Sequence, residues 1–216
     1  MNDAKDHGLG TLCIHAGQEP EPATGAVVVP IFPTSTYAQD ALGSPRAGFE
    51  YARSKNPTRT SLETLLASLE GGAAAHAFAS GQAATAALAT AHLAAGDHVV
   101  VSRLSYGGTF RYFTKVLSGF GVTFSWVDTT DLGAVRAAIV PATRMLFVET
   151  PANPTMELSD LEALAALARE ASARLGAKVR LAVDSTFATP FFQRPLALGA
   201  DAVVHSTTKY LNGHSD

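Results

Sequence analysis

The stretch HSTTKYLNG, near the C-terminal end of the sequence, carries the residues best suited to covalent chemistry. Lys209 follows an apolar, strand-like run, and Ser206 and Thr208 alternate with it. A lysine that loses its hydration behind a buried strand is favoured as the neutral amine, which can attack a carbonyl and form an imine. The two hydroxyl groups could point at a phosphate beside that amine. A surface lysine with its stem on apolar residues is the alternative at this position.

Further polar and aromatic groups stand where predicted strands end. Gly81 and Gln82 open a helix, whose first N–H groups suit a phosphate, and Gly81 lets the backbone approach closely. Tyr106, in SYGGT, could stack on a flat ligand. Asp184 ends the run VRLAVD, where a buried carboxylate requires a cationic partner. The plainer alternatives are a helix cap, a packed tyrosine and a turn-forming aspartate.

These stretches meet only if the elements between them form a parallel sheet. From Thr58 onward helical and strand-like runs alternate, and the strands are short, apolar and rich in β-branched residues. The alternation predicts an α/β fold, a mostly parallel sheet with helices on both faces, which binds ligands at the carboxyl ends of its strands. The predicted strands are 76–80, 98–102, 122–127, 144–150, 179–184 and 201–206, and the predicted helices are 58–70, 81–96, 108–120, 131–139 and 159–176.

Residues 1–57 differ from the rest of the chain. They are rich in proline, glycine and small polar residues, with little helical periodicity, which is typical of an extended arm. Such an arm buries too little surface alone to offset its ordering entropy, so it often packs on another subunit. We therefore predict an arm that contacts a neighbouring subunit over 1–57 and a large domain over 58–216.

Composition excludes several classes of protein. The hydrophobic content is 47% and the formal charge is −3, without a basic run, so neither nucleic acid nor an anionic membrane is an expected partner. No apolar stretch approaches the ~20 residues of a membrane span, and the N-terminus lacks the apolar core of a signal peptide. A single cysteine, Cys13, excludes an internal disulfide and a multi-cysteine metal site. Nucleotide-binding glycine motifs are also missing. The prediction is a soluble, cytoplasmic protein.

Six stretches together resemble the pyridoxal-phosphate enzymes of Cys/Met metabolism, the group of cystathionine γ-synthase, cystathionine γ-lyase, cystathionine β-lyase and methionine γ-lyase. The resemblance covers almost the whole chain and implies pyridoxal 5′-phosphate as cofactor and the aspartate-aminotransferase-like (type I) fold. The stretches are IHAGQEP, GAVVVPIFPTSTY, FEYARSKNPTRTSLE, SYGGTFRYF, ETPANPT and DSTFATPFFQRPLALGADAVVHSTTKYLNGHSD.

The resemblance also assigns roles. Lys209 would carry the cofactor in a covalent imine and move the proton between substrate carbons. Asp184 would pair with the pyridine nitrogen, Tyr106 would stack on the ring, and Asn153 would lie near the phenolic oxygen. The backbone N–H groups of Gly81 and Gln82 and the hydroxyls of Ser206 and Thr208 would bind the phosphate. Tyr51 and Arg53 of the arm would reach the phosphate of a neighbouring subunit.

Some positions depart from the family pattern. Ser185 replaces the usual asparagine after the ring-pairing aspartate, and Gln82 replaces a common apolar residue. Gly108 stands where methionine γ-lyases typically carry cysteine, and Glu50 favours the cystathionine enzymes. The expected function is γ-elimination or γ-replacement on a small amino-acid substrate, as cystathionine γ-lyase or γ-synthase. The alternatives are methionine γ-lyase, cystathionine β-lyase and O-acylhomoserine sulfhydrylase.

The ending NGHSD lies within the family pattern, so the C-terminal part of the large domain and a small domain are expected to be missing. Because the missing part would carry the arginine that binds the substrate carboxylate, an inactive cofactor-binding fragment is a further alternative. The resemblance and the arm together imply a homodimer or homotetramer.

Overall fold

The computed structural model describes residues 7–213, which form two compact units with a boundary between Ala77 and Phe78. Within the described residues, no helix is both long and apolar enough to cross a membrane. The division into an arm over 1–57 and a large domain over 58–216 stays a prediction, because it concerns contacts with another subunit.

The first unit contains two helices and a small hairpin. Helix α1 spans Leu9–His15, strand β1 (Gln39–Ala41) pairs antiparallel with β2 (Ser44–Pro45), and helix α2 spans Pro57–Glu70. A short 3₁₀ helix, Arg46–Gly48, follows the hairpin. The sequence pattern did not predict α1, which is only seven residues long and buries a single side chain.

Local sequence explains both ends of α2. The side chain of Asn56 accepts a hydrogen bond from the backbone N–H of Thr58 at 2.9 Å, and Pro57 occupies the first helical position. Both features are favoured at helix N-termini, since the first N–H groups lack partners within the helix. Gly71 ends the helix in the left-handed conformation, with φ at 69°.

The second unit is built on a parallel sheet of five strands in the order β4-β3-β5-β6-β7. This confirms the predicted fold class. The strands are β3 (His98–Ser102), β4 (Thr123–Val127), β5 (Thr143–Glu149), β6 (Arg180–Asp184) and β7 (Ala202–Val204). The helices are α3 (Gly81–His92), α4 (Gly107–Lys115), α5 (Leu132–Ala138), α6 (Leu161–Leu175) and α7 (Thr189–Phe192), with a 3₁₀ helix at Leu117–Phe120.

The central strands are buried on both faces, which explains their continuous apolar sequences. Successive side chains point to opposite faces of a sheet, so each strand contributes to two cores. One core joins α5 and α6 to Val100, Leu146, Val148, Leu181 and Val183. The other joins α3 and α4 to Val99, Val101, Met145, Phe147 and Ala182.

Two predicted elements differ from the structure. The predicted strand over 76–80 is wrong: these residues are irregular, and the ring of Phe78 is 47% exposed. Among residues 7–213, no strand pairs with this run, and β-propensity without a pairing partner does not make a strand. The predicted helix over 108–120 is divided at Val116 into α4 and the 3₁₀ helix, which Gly121 ends with φ at 84°.

Candidate functional site

A cavity of about 260 Å³ lies at the carboxyl ends of the strands in the second unit. Its walls come from the N-terminus of α3 and from the loops that follow β3, β5, β6 and β7. Eight of the residues singled out in the sequence line it, namely Gly81, Gln82, Tyr106, Asn153, Asp184, Ser206, Thr208 and Lys209. Tyr51 and Arg53 belong to the first unit.

Asp184 is a largely buried carboxylate that lines the cavity. Its Oδ1 accepts hydrogen bonds from the backbone N–H of Thr186 at 3.1 Å and from the Thr186 hydroxyl at 2.6 Å. Burial raises the pKa of Asp184, while these hydrogen bonds and the nearby His205 and Lys209 act in the opposite direction. A carboxylate in this position is best stabilised by a cation within the cavity.

Thr186 connects Asp184 to the loop that carries the lysine. The Thr186 hydroxyl accepts a hydrogen bond from the backbone N–H of Ser206 at 2.9 Å while donating to Asp184. The backbone N–H of Lys209 in turn donates to the carbonyl of Ser206 at 3.2 Å. The backbone of the lysine turn is therefore fixed relative to the carboxylate.

Lys209 lines the cavity but is an exposed residue. The expectation that it is buried behind the last strand is wrong for the described chain, because β7 ends at Val204 and the lysine lies in the turn beyond it.

The N-terminus of α3 approaches the end of the sheet very closely at Gly81. A Cβ atom on Gly81 would lie 2.7 Å from Cβ and 2.9 Å from Cα of Ser206. Only glycine fits this contact without a shift of the backbone. The side chain of Ser80 accepts a hydrogen bond from the backbone N–H of Ala83 at 3.1 Å, so Ser80 caps α3.

The ring of Tyr106 lies against Gly108, near the side chain of Gln82. A Cβ on Gly108 would come within 2.3 Å of Cε1 of the tyrosine and 2.7 Å of Oε1 of Gln82. The ring is 51% exposed, so it is not packed in the core, which was the alternative for this residue. It offers an aromatic face to the cavity.

The side chain of Gln82 is buried without a hydrogen-bond partner. Neither Oε1 nor Nε2 is bonded to any residue that the structure describes. Leaving such groups unsatisfied costs about 1–3 kcal/mol. Because Gln82 lines the cavity, a polar ligand there could supply the missing partners.

Glu149 is a cavity residue that the sequence reasoning missed. It ends β5 in register with Asp184 on β6, and it is buried. Burial, and after it the charge of Asp184, raise the pKa of Glu149 to about 7. The backbone N–H groups of Tyr106 and Asn153 act in the opposite direction. The sequence feature that could have identified Glu149 as a site residue is its position at the end of a strand, the same feature that singled out Asp184.

Tyr51 and Arg53 form a local pair in the first unit. The guanidinium of Arg53 lies over the Tyr51 ring, 4.7 Å from its centroid. Arg59 on α2 donates hydrogen bonds to the carbonyls of Ala52 at 3.2 Å and Ser54 at 2.8 Å, which anchors the loop. The pair thus has a defined local conformation.

Known proteins match the chain over nearly its full length. Cystathionine gamma-synthase of Mycobacterium tuberculosis is 53% identical over 209 residues, which are 97% of this chain and 52% of that protein. Cystathionine gamma-lyase of Bacillus subtilis is 48% identical over 206 residues, 95% of this chain and 52% of that protein. The crystal structure of metB from Corynebacterium glutamicum matches with a TM-score of 0.94 at 45% identity, covering 99% of this chain and 54% of that one.

The chain therefore spans about half the length of the relatives it matches. The family described as Cys/Met metabolism PLP-dependent enzyme matches residues 10–216. Since this match includes every element of the sheet and all the residues around its cavity, the chain belongs to the Cys/Met metabolism family of PLP-dependent enzymes.

Proposed function

We propose that this chain provides the cofactor-binding part of an enzyme that uses pyridoxal phosphate to eliminate or replace the γ-substituent of a sulfur amino acid or an activated homoserine, as cystathionine γ-synthase or γ-lyase. The observation that carries the proposal is one cavity lined by a largely buried carboxylate, a lysine and an exposed aromatic residue, which are Asp184, Lys209 and Tyr106. The names of the relatives support the choice of substrate class.

The cavity residues fit this cofactor in three respects. The buried carboxylate of Asp184 suits a protonated ring nitrogen. The N-terminus of α3, brought against Ser206 by the missing side chain of Gly81, suits a phosphate. The amide of Gln82 has unsatisfied donors and an unsatisfied acceptor for the polar edge of a ligand. We therefore assign cofactor binding to this cavity.

When bound, pyridoxal phosphate supplies an aldehyde that takes up an amine and a protonated ring that withdraws electrons from the substrate α-carbon. Asp184 would hold the proton on the ring nitrogen. Lys209 would hold the cofactor until a substrate amine replaces it and would then carry protons between substrate carbons. Tyr106 would stack on the ring, Asn153 would lie at its edge, and the hydroxyls of Ser206 and Thr208 would bind the phosphate with the first N–H groups of α3.

Tyr51 and Arg53 are proposed to reach the phosphate in a neighbouring subunit of a homodimer or homotetramer. Arginine suits that task because its planar fork matches a phosphate edge. A cytoplasmic location belongs to the same proposal. Light scattering of the purified protein tests the assembly, and a monomer that binds the cofactor fully would contradict the shared site.

Product analysis tests the reaction. With an acylated homoserine and cysteine, a γ-synthase forms cystathionine, whereas with cystathionine a γ-lyase releases cysteine, ammonia and a four-carbon 2-oxo acid. A three-carbon 2-oxo acid from cystathionine would instead indicate β-elimination. These assays use the protein as its gene encodes it, loaded with the cofactor.

Lys209→Ala is the matched inactive control. We expect the variant to lose turnover with every substrate, because no other amine is assigned to carry the protons. Substantial turnover by Lys209→Ala would refute the role of this lysine. Failure of the unaltered protein to bind the cofactor would refute the proposed function itself.

A further inference from the structure

Glu149 connects two loops of the cavity through their backbones. Its Oε2 accepts a short hydrogen bond from the backbone N–H of Tyr106, in the loop after β3. The backbone N–H of Asn153, in the loop after β5, lies near enough to this carboxyl group to lower its pKa. Since the side chain is only 6% exposed, little solvent competes for these contacts.

The bond to Tyr106 also fixes the start of α4. Tyr106 is the residue before the first turn of this helix, and its own side chain makes no capping bond. Helix N-termini have N–H groups without internal partners, and a carboxyl oxygen satisfies one of them by accepting its hydrogen bond. The position of the Tyr106 ring therefore depends on its backbone anchor, because the ring itself is half exposed.

We propose that Glu149 is a positioning residue for the cofactor, which holds the backbones of Tyr106 and Asn153 so that both side chains face the bound ring. The inference rests on the proposed function, because it takes these two residues as contacts of pyridoxal phosphate. It gives a role to a buried carboxyl group that the reaction itself does not use.

Positioning requires reach and hydrogen-bond acceptors, and it does not require a negative charge. Glu149 stands in register with Asp184, and this neighbouring charge together with burial raises the pKa of Glu149 to about 7. A carboxyl group that is partly protonated near neutral pH still accepts hydrogen bonds through its oxygens. Reach and charge can therefore be separated by two substitutions.

Glu149→Gln keeps the length and one accepting oxygen but removes the charge, whereas Glu149→Asp keeps the charge and shortens the side chain by one methylene. We expect Glu149→Gln to bind pyridoxal phosphate within about threefold of the unaltered protein, and Glu149→Asp and Glu149→Ala to bind it at least about tenfold more weakly. The affinity is measured by titrating the cofactor-free protein encoded by the gene.

Circular dichroism in the absorption band of the bound cofactor gives a second readout. The signal depends on the orientation of the ring in its site. At saturating cofactor, a general loss of protein stability leaves this orientation unchanged. We expect Glu149→Gln to retain the sign and most of the amplitude, and Glu149→Asp to lose most of the amplitude. The matched controls are Glu157→Gln and Glu157→Asp, which alter a carboxylate of the same loop that pairs with Arg103.

The outcomes separate the two proposals. If the unaltered protein does not bind pyridoxal phosphate, the proposed function fails. If it binds, but Glu149→Asp matches it while Glu149→Gln is impaired, charge rather than position is the property that matters and the inference is overturned. Equal affinity and equal dichroism for Glu149→Gln, Glu149→Asp and the unaltered protein would also overturn it, even if Glu149→Ala does not fold.

Discussion

The contact between Gly81 and Ser206 makes one substitution especially informative. In Gly81→Ala the new Cβ would lie 2.7 Å from Cβ and 2.9 Å from Cα of Ser206, whereas ordinary contacts lie at 3.4–4 Å. Because Cα belongs to the backbone, either α3 or the loop after β7 must move. Overpacking of this kind costs about 1–3 kcal/mol, and the helix propensity of alanine offsets up to about 1 kcal/mol of that cost, since Gly81 opens a helix. For a chain of this size, each kcal/mol lowers Tm by roughly 2–4 °C.

The assay combines thermal unfolding of the cofactor-free protein with a titration of pyridoxal phosphate. We expect Gly81→Ala to lower Tm by up to roughly 12 °C, to a value below that of Gly107→Ala. The affinity for the cofactor should fall about tenfold, because the shifted helix N-terminus and the Ser206 hydroxyl would no longer converge on the proposed phosphate site.

Gly107→Ala is the matched control, since Gly107 also opens a helix beside the cavity. There the nearest atom to a new Cβ is Nη1 of Arg111 at 3.4 Å, the end of a flexible side chain. Alanine also favours the helix by up to about 1 kcal/mol, so Tm should stay equal or rise. If Gly81→Ala and Gly107→Ala had the same Tm and the same cofactor affinity, the close-approach argument would be refuted.

Three further predictions concern other buried polar groups. Burial lowers the pKa of His98 below its ordinary 6.5, and its ring nitrogens contact the hydroxyls of Thr143 and Ser125, both at 2.9 Å. As pH falls below about 6.5, the unfolded chain therefore takes up a proton before the folded one, and the stability contributed by neutral His98 is lost. In urea unfolding, the free energy of unfolding of His98→Gln should decline less over this range than that of the unaltered protein. Gln82→Leu removes two unsatisfied polar atoms, so it should stabilise the cofactor-free protein by about 1–2 kcal/mol in denaturant unfolding. A titration should show weaker cofactor binding. A loss of stability would contradict this prediction. Asp184→Asn should bind the cofactor but turn over substrate at least roughly 100-fold more slowly, because a neutral amide does not hold a proton on the ring nitrogen. Turnover near that of the unaltered protein would exclude the proposed pairing of Asp184 with the ring nitrogen.

The parts of the fold that the sequence predicted are those governed by local pattern and continuous burial. The strands β5 and β6 and the helix α6 have long apolar runs or clear helical spacing, and the structure has them within a few residues of the predicted bounds. The run 76–80 was misjudged because a strand is defined by its partner, and pairing partners are not encoded in five residues.

The candidate site was predicted as a set of loops because carboxyl ends of parallel strands share one edge. The sequence did not reveal which polar groups contact each other. Glu149 was overlooked because its hydrogen bond comes from the backbone N–H of Tyr106, and backbone contacts leave no signature in the residue types of a single sequence. The exposure of Lys209 depends on where β7 ends, and element boundaries are weakly specified by pattern.

The central claim is a covalent bond between Lys209 and pyridoxal phosphate, and chemical reduction followed by peptide mapping tests it most directly. Borohydride treatment of the loaded protein converts an imine into a stable amine, and mass spectrometry then locates the added mass. We expect a single labelled peptide, with the added mass on Lys209. A label on another lysine, or bound cofactor that borohydride does not attach to the chain, would contradict it.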